Sequence, residues 1–349
     1  MGPSLLVIVG AGGVGKTTLA AALGLQSARQ GDDTLVITFD PSLRLKDALG
    51  VGGDARFREV AVPVRAAGRL EASLLDVQDT FDRLVTRYAP DERARQRILT
   101  NRFYVHLSGT LAGVLEYVAV ERLFEVASQG RYRRIVLDTP PTRQALDFLE
   151  APSRLVGFLD SGALRIALKP WFDEEGRLRP TRRFGFVGRN IEAFLDRVVG
   201  LELLRDMADF FQAFGPLYGG FRQRALEVQS LLRSPETLFL LVSAPAEERV
   251  ADTLFFARRL KDAGYRLGPL VVNRVHPLAS PSLAPAAAGA EVLAWLGERD
   301  RRGIAALRAL LERAQPLTEI PLLPAEPTDI SSLLELCRLL ESRLGPVPE

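Results

Sequence analysis

The first residues that could do chemistry form a glycine-rich segment near the amino terminus. Residues 10–17 read GAGGVGKT and fit the pattern G-x-x-x-x-G-K-[ST] of a phosphate-binding loop. The segment follows an apolar run and opens a helical pattern, which is the context that such a loop requires. Its glycines let backbone N–H groups approach phosphate oxygens, and the helix amino terminus adds a favourable dipole. The segment therefore predicts binding of a nucleoside triphosphate.

Two side chains of this loop have predicted roles beyond simple contact. Lys16 is expected to hold the β- and γ-phosphates and to act in catalysis, and Thr17 is expected to ligate Mg²⁺. The predicted nucleotide contacts in this segment are Gly12, Gly13, Val14, Gly15, Lys16, Thr17 and Thr18.

Two aspartates that follow apolar runs are candidate partners of the loop. Asp138 ends the run RIVLD and is predicted to hold Mg²⁺, directly or through water. Residues 139–142, TPPT, look too rigid and polar for a simple turn into a helix, which favours this role over a helix cap. Asp40 could bind the metal or orient or deprotonate an attacking water. An Asx turn before Pro41 explains Asp40 equally well.

These side chains need a sheet whose strand ends meet at one edge. Apolar runs alternate with helical stretches, which predicts an α/β fold with a mostly parallel sheet flanked by helices. Helices are predicted at 16–29 and 246–264, and strands at 5–9, 34–39, 134–137, 237–242, 270–272 and 320–322.

Two helix-rich stretches interrupt this alternation, at about 78–130 and 152–233. They are predicted to form one helical subdomain above the carboxyl edge of the sheet, where α/β proteins bind ligands. The prediction is a single P-loop domain, residues 1–349, that carries this insert.

Composition excludes several classes of protein. The chain has 349 residues, of which 47% are hydrophobic, enough for a substantial core. A net charge of +2, from 45 basic and 43 acidic residues, argues against a nucleic-acid partner. One cysteine excludes an intrachain disulfide and a cysteine cage for zinc. No signal peptide or membrane-spanning run is recognised, so we expect a cytoplasmic protein.

The motifs in this order resemble those of the ArsA/guided-entry family of ATPases. That family contains arsenite-pump ATPases and ATPases that target tail-anchored proteins, within a wider dimeric class that includes MinD and ParA. The resembling segments are GAGGVGKTT (10–18), DPSLRLKDAL (40–49), DTPPTRQ (138–144), VVNRV around Asn273 and IPLLPAEP (320–327). The resemblance implies a P-loop ATPase that binds and hydrolyses ATP with Mg²⁺ as a dimeric molecular switch.

The resemblance also implies roles for individual residues. Asp40 would orient water in the first switch segment, which also contains Asp47, and Asp138 would serve the metal and lead the second switch segment. Asn273 would read the edge of adenine, whose donors and acceptors an amide can match. Pro324 and Ala325 would lie near the adenine face.

One departure from the family concerns the positive charge that one subunit of the dimer contributes to the nucleotide of the other. Ala11 stands where the family has a signature lysine that reaches the partner's nucleotide. Arg143, where the family has glycine, could supply this charge as a catalytic arginine finger, although a solvent-facing arginine is the favoured reading. Arg44 is a weaker candidate, and a paralogous partner that carries the lysine is a third explanation.

The remaining departures concern partners and clients. The cysteine pair that clamps the targeting dimer with zinc is absent, and the one thiol, Cys337, is expected to be a core residue. Two methionines cannot build a Met-rich groove for a client protein. For the aromatic run 210–221, packing between helices is favoured over a groove for a hydrophobic segment or partner helix.

Several functions therefore stay open. The leading hypothesis is a homodimer, or a heterodimer with a paralogue, that couples ATP hydrolysis to a protein or membrane-associated client. The alternatives are a nucleotide-binding scaffold or regulatory subunit with weak hydrolysis and, less favoured, a positioning ATPase of the ParA/MinD kind.

Overall fold

The computed structural model describes two compact units of the chain. The described residues are 4–39, 44–52, 55, 58–102, 104, 114–160, 206, 209–210, 213, 217–278, 289–311 and 315–345. The unit that we call the sheet unit comprises Met1–Leu75, Glu125–Leu146 and Ser230–Glu349. The helical unit comprises Asp76–Phe124 and Asp147–Gln229.

An eight-stranded sheet forms the centre of the sheet unit. Its spatial order is β3-β4-β2-β5-β1-β6-β7-β8, and every neighbouring pair is parallel except β3 and β4. The strands are β1 (Ser4–Gly10), β2 (Thr34–Thr38), β3 (Val60–Ala61), β4 (Leu70–Leu74), β5 (Arg134–Asp138), β6 (Thr237–Ser243), β7 (Leu267–Val275) and β8 (Leu317–Pro321).

The central strands are continuous apolar runs because helices cover both faces of a parallel sheet. The helices of the sheet unit are α1 (Lys16–Arg29), α2 (Arg44–Leu49), α8 (Val250–Asp262), α9 (Ala290–Leu310) and α10 (Ile330–Leu344), with a 3₁₀ turn at Glu247–Arg249. Helix α1 packs so closely on the sheet that a Cβ at Gly24 would lie 2.2 Å from Val36 Cγ2. Only glycine fits at that crossing.

The single thiol lies in this core, as predicted. Cys337 on α10 is fully buried, and its Sγ donates to the carbonyl of Ala22 on α1 at 3.1 Å. Burial raises the pKa of the Cys337 thiol to about 12. Cys337 therefore behaves as a small apolar residue that joins two helices.

Some of the described helices lie wholly or partly in the helical unit. They are α3 (Val77–Tyr88), α4 (Glu92–Leu99), α5 (Val114–Ser128), α6 (Thr142–Asp160) and α7 (Tyr218–Leu232). Asp76 and Asp91 cap α3 and α4 by accepting hydrogen bonds from Asp79 N and Ala94 N.

A buried ion pair and aromatic packing organise the helical unit. Arg224 donates through Nε to Glu121 at 2.6 Å, and its guanidinium lies 4.0 Å from the ring centroid of Tyr88. Phe210 and Phe221, like Leu217, are buried, which agrees with the packing role expected for this run. Phe211 and Phe214 lie outside the described residues.

The predicted fold class is confirmed, but three local expectations differ from the structure. Strands β3 and β4 were not predicted, because β3 is only two residues long and β4 contains the charged residue Glu71. Strand β7 extends beyond 270–272 at both ends, and β8 begins three residues before Ile320. The prolines before Thr142 do not prevent a helix there: α6 begins at Thr142, because proline is compatible with a helix amino terminus.

No helix in the described part of the chain is both long and apolar enough to cross a membrane. Over the same residues, no three side chains of His, Cys, Asp or Glu converge as a ready-made metal cage.

Candidate functional site

The strand register brings the predicted chemistry to one edge of the sheet. Asp138, the last residue of β5, is level with Thr38 at the end of β2 and with Ile8 near the end of β1. The phosphate-binding loop after β1 and the segment after β5 therefore leave neighbouring strands at the carboxyl edge.

The phosphate-binding loop connects β1 directly to α1. Helix α1 begins at Lys16, and Gly15 caps it with a left-handed φ of 92°. A Cβ at Gly15 would lie 2.4 Å from Asn273 Nδ2. Glycine is required at Gly15 both for its backbone conformation and for the close approach of β7.

Lys16 is largely withdrawn from solvent at the start of α1. Its side chain folds back over the loop, and Nζ donates to the carbonyl of Ala11 at 3.0 Å. Lys16 is only 7% exposed, so its charge is held close to the loop backbone. An ammonium in this position can transfer its hydrogen bonds to phosphate oxygens at the helix amino terminus.

Asp138 is held from both neighbouring strands. Thr38 donates through Oγ1 to Asp138 Oδ2 at 2.8 Å, and both residues are fully buried. The next residue, Thr139, donates through Oγ1 to the carbonyl of Ile8 at 2.8 Å. These bonds fix the carboxylate at the junction of β5 with β1 and β2, where oxygen ligands for a hard cation are expected.

Two successive residues near the end of β7 contact the phosphate-binding loop. Asn273 donates through Nδ2 to the carbonyl of Val14 at 2.8 Å. Arg274 donates through Nη1 to the carbonyl of Gly13 at 3.2 Å and through Nη2 to Glu326 at 2.7 Å. Sequence reasoning identified Asn273 but missed Arg274, which follows it directly in the motif VVNRV.

A cleft of about 240 Å³ opens beside the loop. It lies between the start of α1, the end of β7 and the residues that follow β8. Ala325 lies in its wall, whereas Pro324 is outside it. The residues that line the cleft include Gly15, Thr18, Asn273, Arg274, Ala325 and Glu326.

The structure describes the two predicted switch segments only in part. Asp40 lies outside the described residues. The backbone of Arg143 lies in the first turn of α6, and its side chain is outside the described part of the chain. Arg44 and Asp47 are both exposed on the short helix α2.

A cluster around one buried carboxylate, just beyond β7, was also missed. Asp300 on α9 is fully buried, and its Oδ2 accepts from the backbone N–H of His276 at 3.0 Å and lies 2.7 Å from His276 Nδ1. Arg299 donates to Asp300 Oδ1 at 2.9 Å. Burial opposes ionisation of Asp300, but these hydrogen bonds outweigh it and hold the pKa of Asp300 below its usual value.

The sheet order, the loop after β1 and the aspartate at the end of β5 together define the P-loop NTPase class of α/β proteins. Sequence comparison then identifies the family. A family model described as "Anion-transporting ATPase" matches residues 4–174.

Curated relatives agree with that match. An "ATPase GET3" of Malassezia globosa is 31% identical over 147 residues, covering 42% of this chain. An uncharacterized protein of Streptomyces coelicolor is 30% identical over 315 residues, covering 86% of this chain and 71% of its own length. An "ATPase GET3B" of Arabidopsis thaliana is 26% identical over 292 residues, covering 78% of this chain and 64% of that protein. The chain belongs to the ArsA/GET3 family.

The extent of these matches differs between relatives. Several curated relatives are matched over only about two fifths of their own length, for example 41% of the Malassezia protein. The shared segment includes the phosphate-binding loop, so family membership bears most directly on that part of the chain.

Proposed function

We propose that this chain is a cytoplasmic, dimeric molecular switch that binds and hydrolyses ATP with Mg²⁺. The observation that carries the proposal is the complete phosphate-binding loop, with the buried Lys16 folded over it. Membership of a family whose relatives are named as ATPases supports the same activity.

The residues of the loop would bind and orient the phosphates. Lys16 would exchange the carbonyl of Ala11 for oxygens of the β- and γ-phosphates, so that its charge opposes the charge that develops during transfer. Asp40 would orient the water that attacks the γ-phosphate in line, giving ADP and inorganic phosphate. Asn273 and Ala325, which both line the cleft, would contact the base.

The side chains available at the sheet edge fit Mg²⁺. Magnesium prefers hard oxygen ligands, and Thr17 in the first turn of α1 and Asp138 at the end of β5 supply a hydroxyl and a carboxylate. The bound ion would neutralise phosphate charge. Thr38 would keep the carboxylate of Asp138 in a fixed orientation.

A turnover assay tests the proposal. We expect Mg²⁺-dependent release of phosphate from ATP that rises more steeply than protein concentration, because the active form is a dimer. Sedimentation with ADP and with a non-hydrolysable ATP analogue would show the nucleotide-dependent dimer directly. Binding of ATP without turnover, alone and with any paralogue, would instead support a nucleotide-binding scaffold. This is the second candidate function, because Ala11 stands where the family has its signature lysine.

The missing signature lysine gives a sharper test. The A11K variant restores the family residue, and it should raise turnover if no other group supplies the charge. If Arg143 supplies it, R143A lowers turnover and R44A, a matched change in the other switch segment, does not. Loss only in R44A would transfer the role to Arg44, and no loss in either would favour a partner subunit.

The helical unit is the part of the chain to which we assign coupling to a client. Phe210, Leu217 and Phe221 are buried within it, so these side chains are used for packing. Nucleotide-dependent protection of this unit from limited proteolysis would support coupling, and identical cleavage with ADP and ATP would contradict it.

A further inference from the structure

The contact between Arg274 and the phosphate-binding loop has an unusual backbone. Arg274 has a φ of 62°, and no other non-glycine residue in the described part of the chain has a positive φ. Left-handed conformations of residues with side chains persist only where the surroundings enforce them, and they cluster at functional sites. Arg274 lies where the pairing of β7 with β8 shifts register, between Val272 and Val275, and its side chain bonds to Gly13 and Glu326.

The bond to Gly13 controls the direction of a neighbouring N–H group. The carbonyl of Gly13 and the N–H of Val14 belong to one planar trans peptide, so they point in opposite directions. Arg274 holds this carbonyl, which turns the N–H of Val14 to the side away from the guanidinium. Asn273 does the same for the next peptide through the carbonyl of Val14, and thereby orients the N–H of Gly15.

The Arg274–Glu326 ion pair adds little to the stability of the fold. Its side chains are 43% and 64% exposed, and exposed ion pairs contribute little to stability. The left-handed backbone at Arg274 costs more free energy than such an ion pair contributes. The arrangement is therefore better explained by the orientation of the loop than by the stability of the fold.

We propose that Arg274 is a positioning residue that presets the Gly13–Val14 peptide for phosphate binding, while Glu326 holds its guanidinium in place. The proposal rests on the nucleotide binding proposed above. Through this bridge, the loop after β8 and the phosphate-binding loop are ordered together. Arg274 acts on the polyphosphate through the loop backbone and needs no contact with the base.

The test compares two ligands, Mg-ATP and inorganic tripolyphosphate with Mg²⁺, by calorimetry. In R274G the side chain is removed, while glycine suits the left-handed backbone. We expect the affinity of R274G for both ligands to fall by about tenfold, the size of one well-placed hydrogen bond. Its melting temperature without ligand should not fall. E326A should lower both affinities by about threefold, since the guanidinium loses one anchor.

The matched control is R308A, which breaks an exposed ion pair of equal length to Glu319 in the same unit. Its affinities should equal those of the wild type. Unchanged tripolyphosphate affinity in R274G overturns the proposal, and a loss confined to ATP would assign Arg274 to the base instead. If the wild-type protein binds neither ligand, the proposed nucleotide binding itself fails, which is a different result from an unaffected R274G.

Discussion

The two ends of the proposed nucleotide site are built in opposite ways. At the phosphate end, Lys16 is 7% exposed and Asp138 is fully buried, and the two are hydrogen-bonded to a loop carbonyl and to a strand end. At the other end, Leu322 is 42% exposed and the Glu326 side chain 64% exposed. The first end has its polar groups fixed before any ligand arrives, and the second consists of an open loop after β8.

Because of this difference, we expect one end to determine affinity for the nucleotide and the other to determine selectivity among bases. Fixed, buried donors lose little freedom when they bind a charged group, so the phosphate end should supply most of the binding free energy. The exposed end offers few buried polar groups whose loss would penalise a wrong base. We therefore expect tight binding of triphosphates with limited discrimination among bases.

The largest effect should follow from removing the charge at the phosphate end. K16A should lower turnover by about 10²–10³-fold, as the loss of one preorganised donor does in other enzymes. Steady-state phosphate release measures this, with K261A, on helix α8, as the control. Turnover of K16A within threefold of the wild type would contradict the proposed role of the loop.

The next largest effect should come from the cluster that anchors the end of β7. D300N leaves the N–H groups of His276 and Arg299 mispaired around a fully buried side chain and should cost about 3 kcal/mol of unfolding free energy at neutral pH. The lowered pKa of Asp300 means that this stability is present above an unfolded-state pKa of about 3.9 and is lost as pH falls through the folded value.

Denaturant melts of D300N and wild type between pH 7 and pH 3 measure this difference, with the exposed Asp262 changed in D262N as control. The gap between wild type and D300N should shrink only at the acid end. A gap that is constant across this range would exclude ionised Asp300 as its source.

A smaller effect should follow at the metal side of the phosphate end. T38V removes the hydroxyl that orients Asp138 and should raise the Mg²⁺ concentration for half-maximal turnover by about 10- to 100-fold. T34V is a matched control, because Thr34 is buried on the same strand but bonds to the carbonyl of Asp32. An equal Mg²⁺ requirement in T38V and T34V would remove Asp138 from the metal site.

The smallest effect should appear at the exposed end. A325G deletes one methyl group from the cleft wall, and about 0.8 kcal/mol per buried methyl limits the loss of ATP affinity to about fourfold. P324A should change nothing, since Pro324 lies outside the wall. A larger loss in P324A than in A325G would reverse our assignment of this end.

The phosphate end was largely predictable because its signal is local. Glycine and lysine spacing specifies the loop, and α1 begins at Lys16 and ends at Arg29 as expected. The parallel sheet was also predictable, since its central strands are unbroken apolar runs flanked by helical patterns.

What the sequence did not reveal depends on tertiary contacts. Strand β4 contains Glu71, a residue atypical of strands, which is accommodated because Tyr132 and Arg131 donate hydrogen bonds to it. The pairing of His276 with Asp300 joins a strand end to a helix 24 residues later. No local pattern distinguishes these residues from solvated charges.

The buried thiol has a practical consequence for the whole chain. Cys337 is the only cysteine, and a thiol with a pKa of about 12 in the core remains protonated and unreactive at neutral pH. Maleimide dyes and spin labels should therefore leave the native protein unmodified. A single cysteine introduced on an exposed helix would accept the probe alone, so opening and closing could be followed without first removing any natural residue.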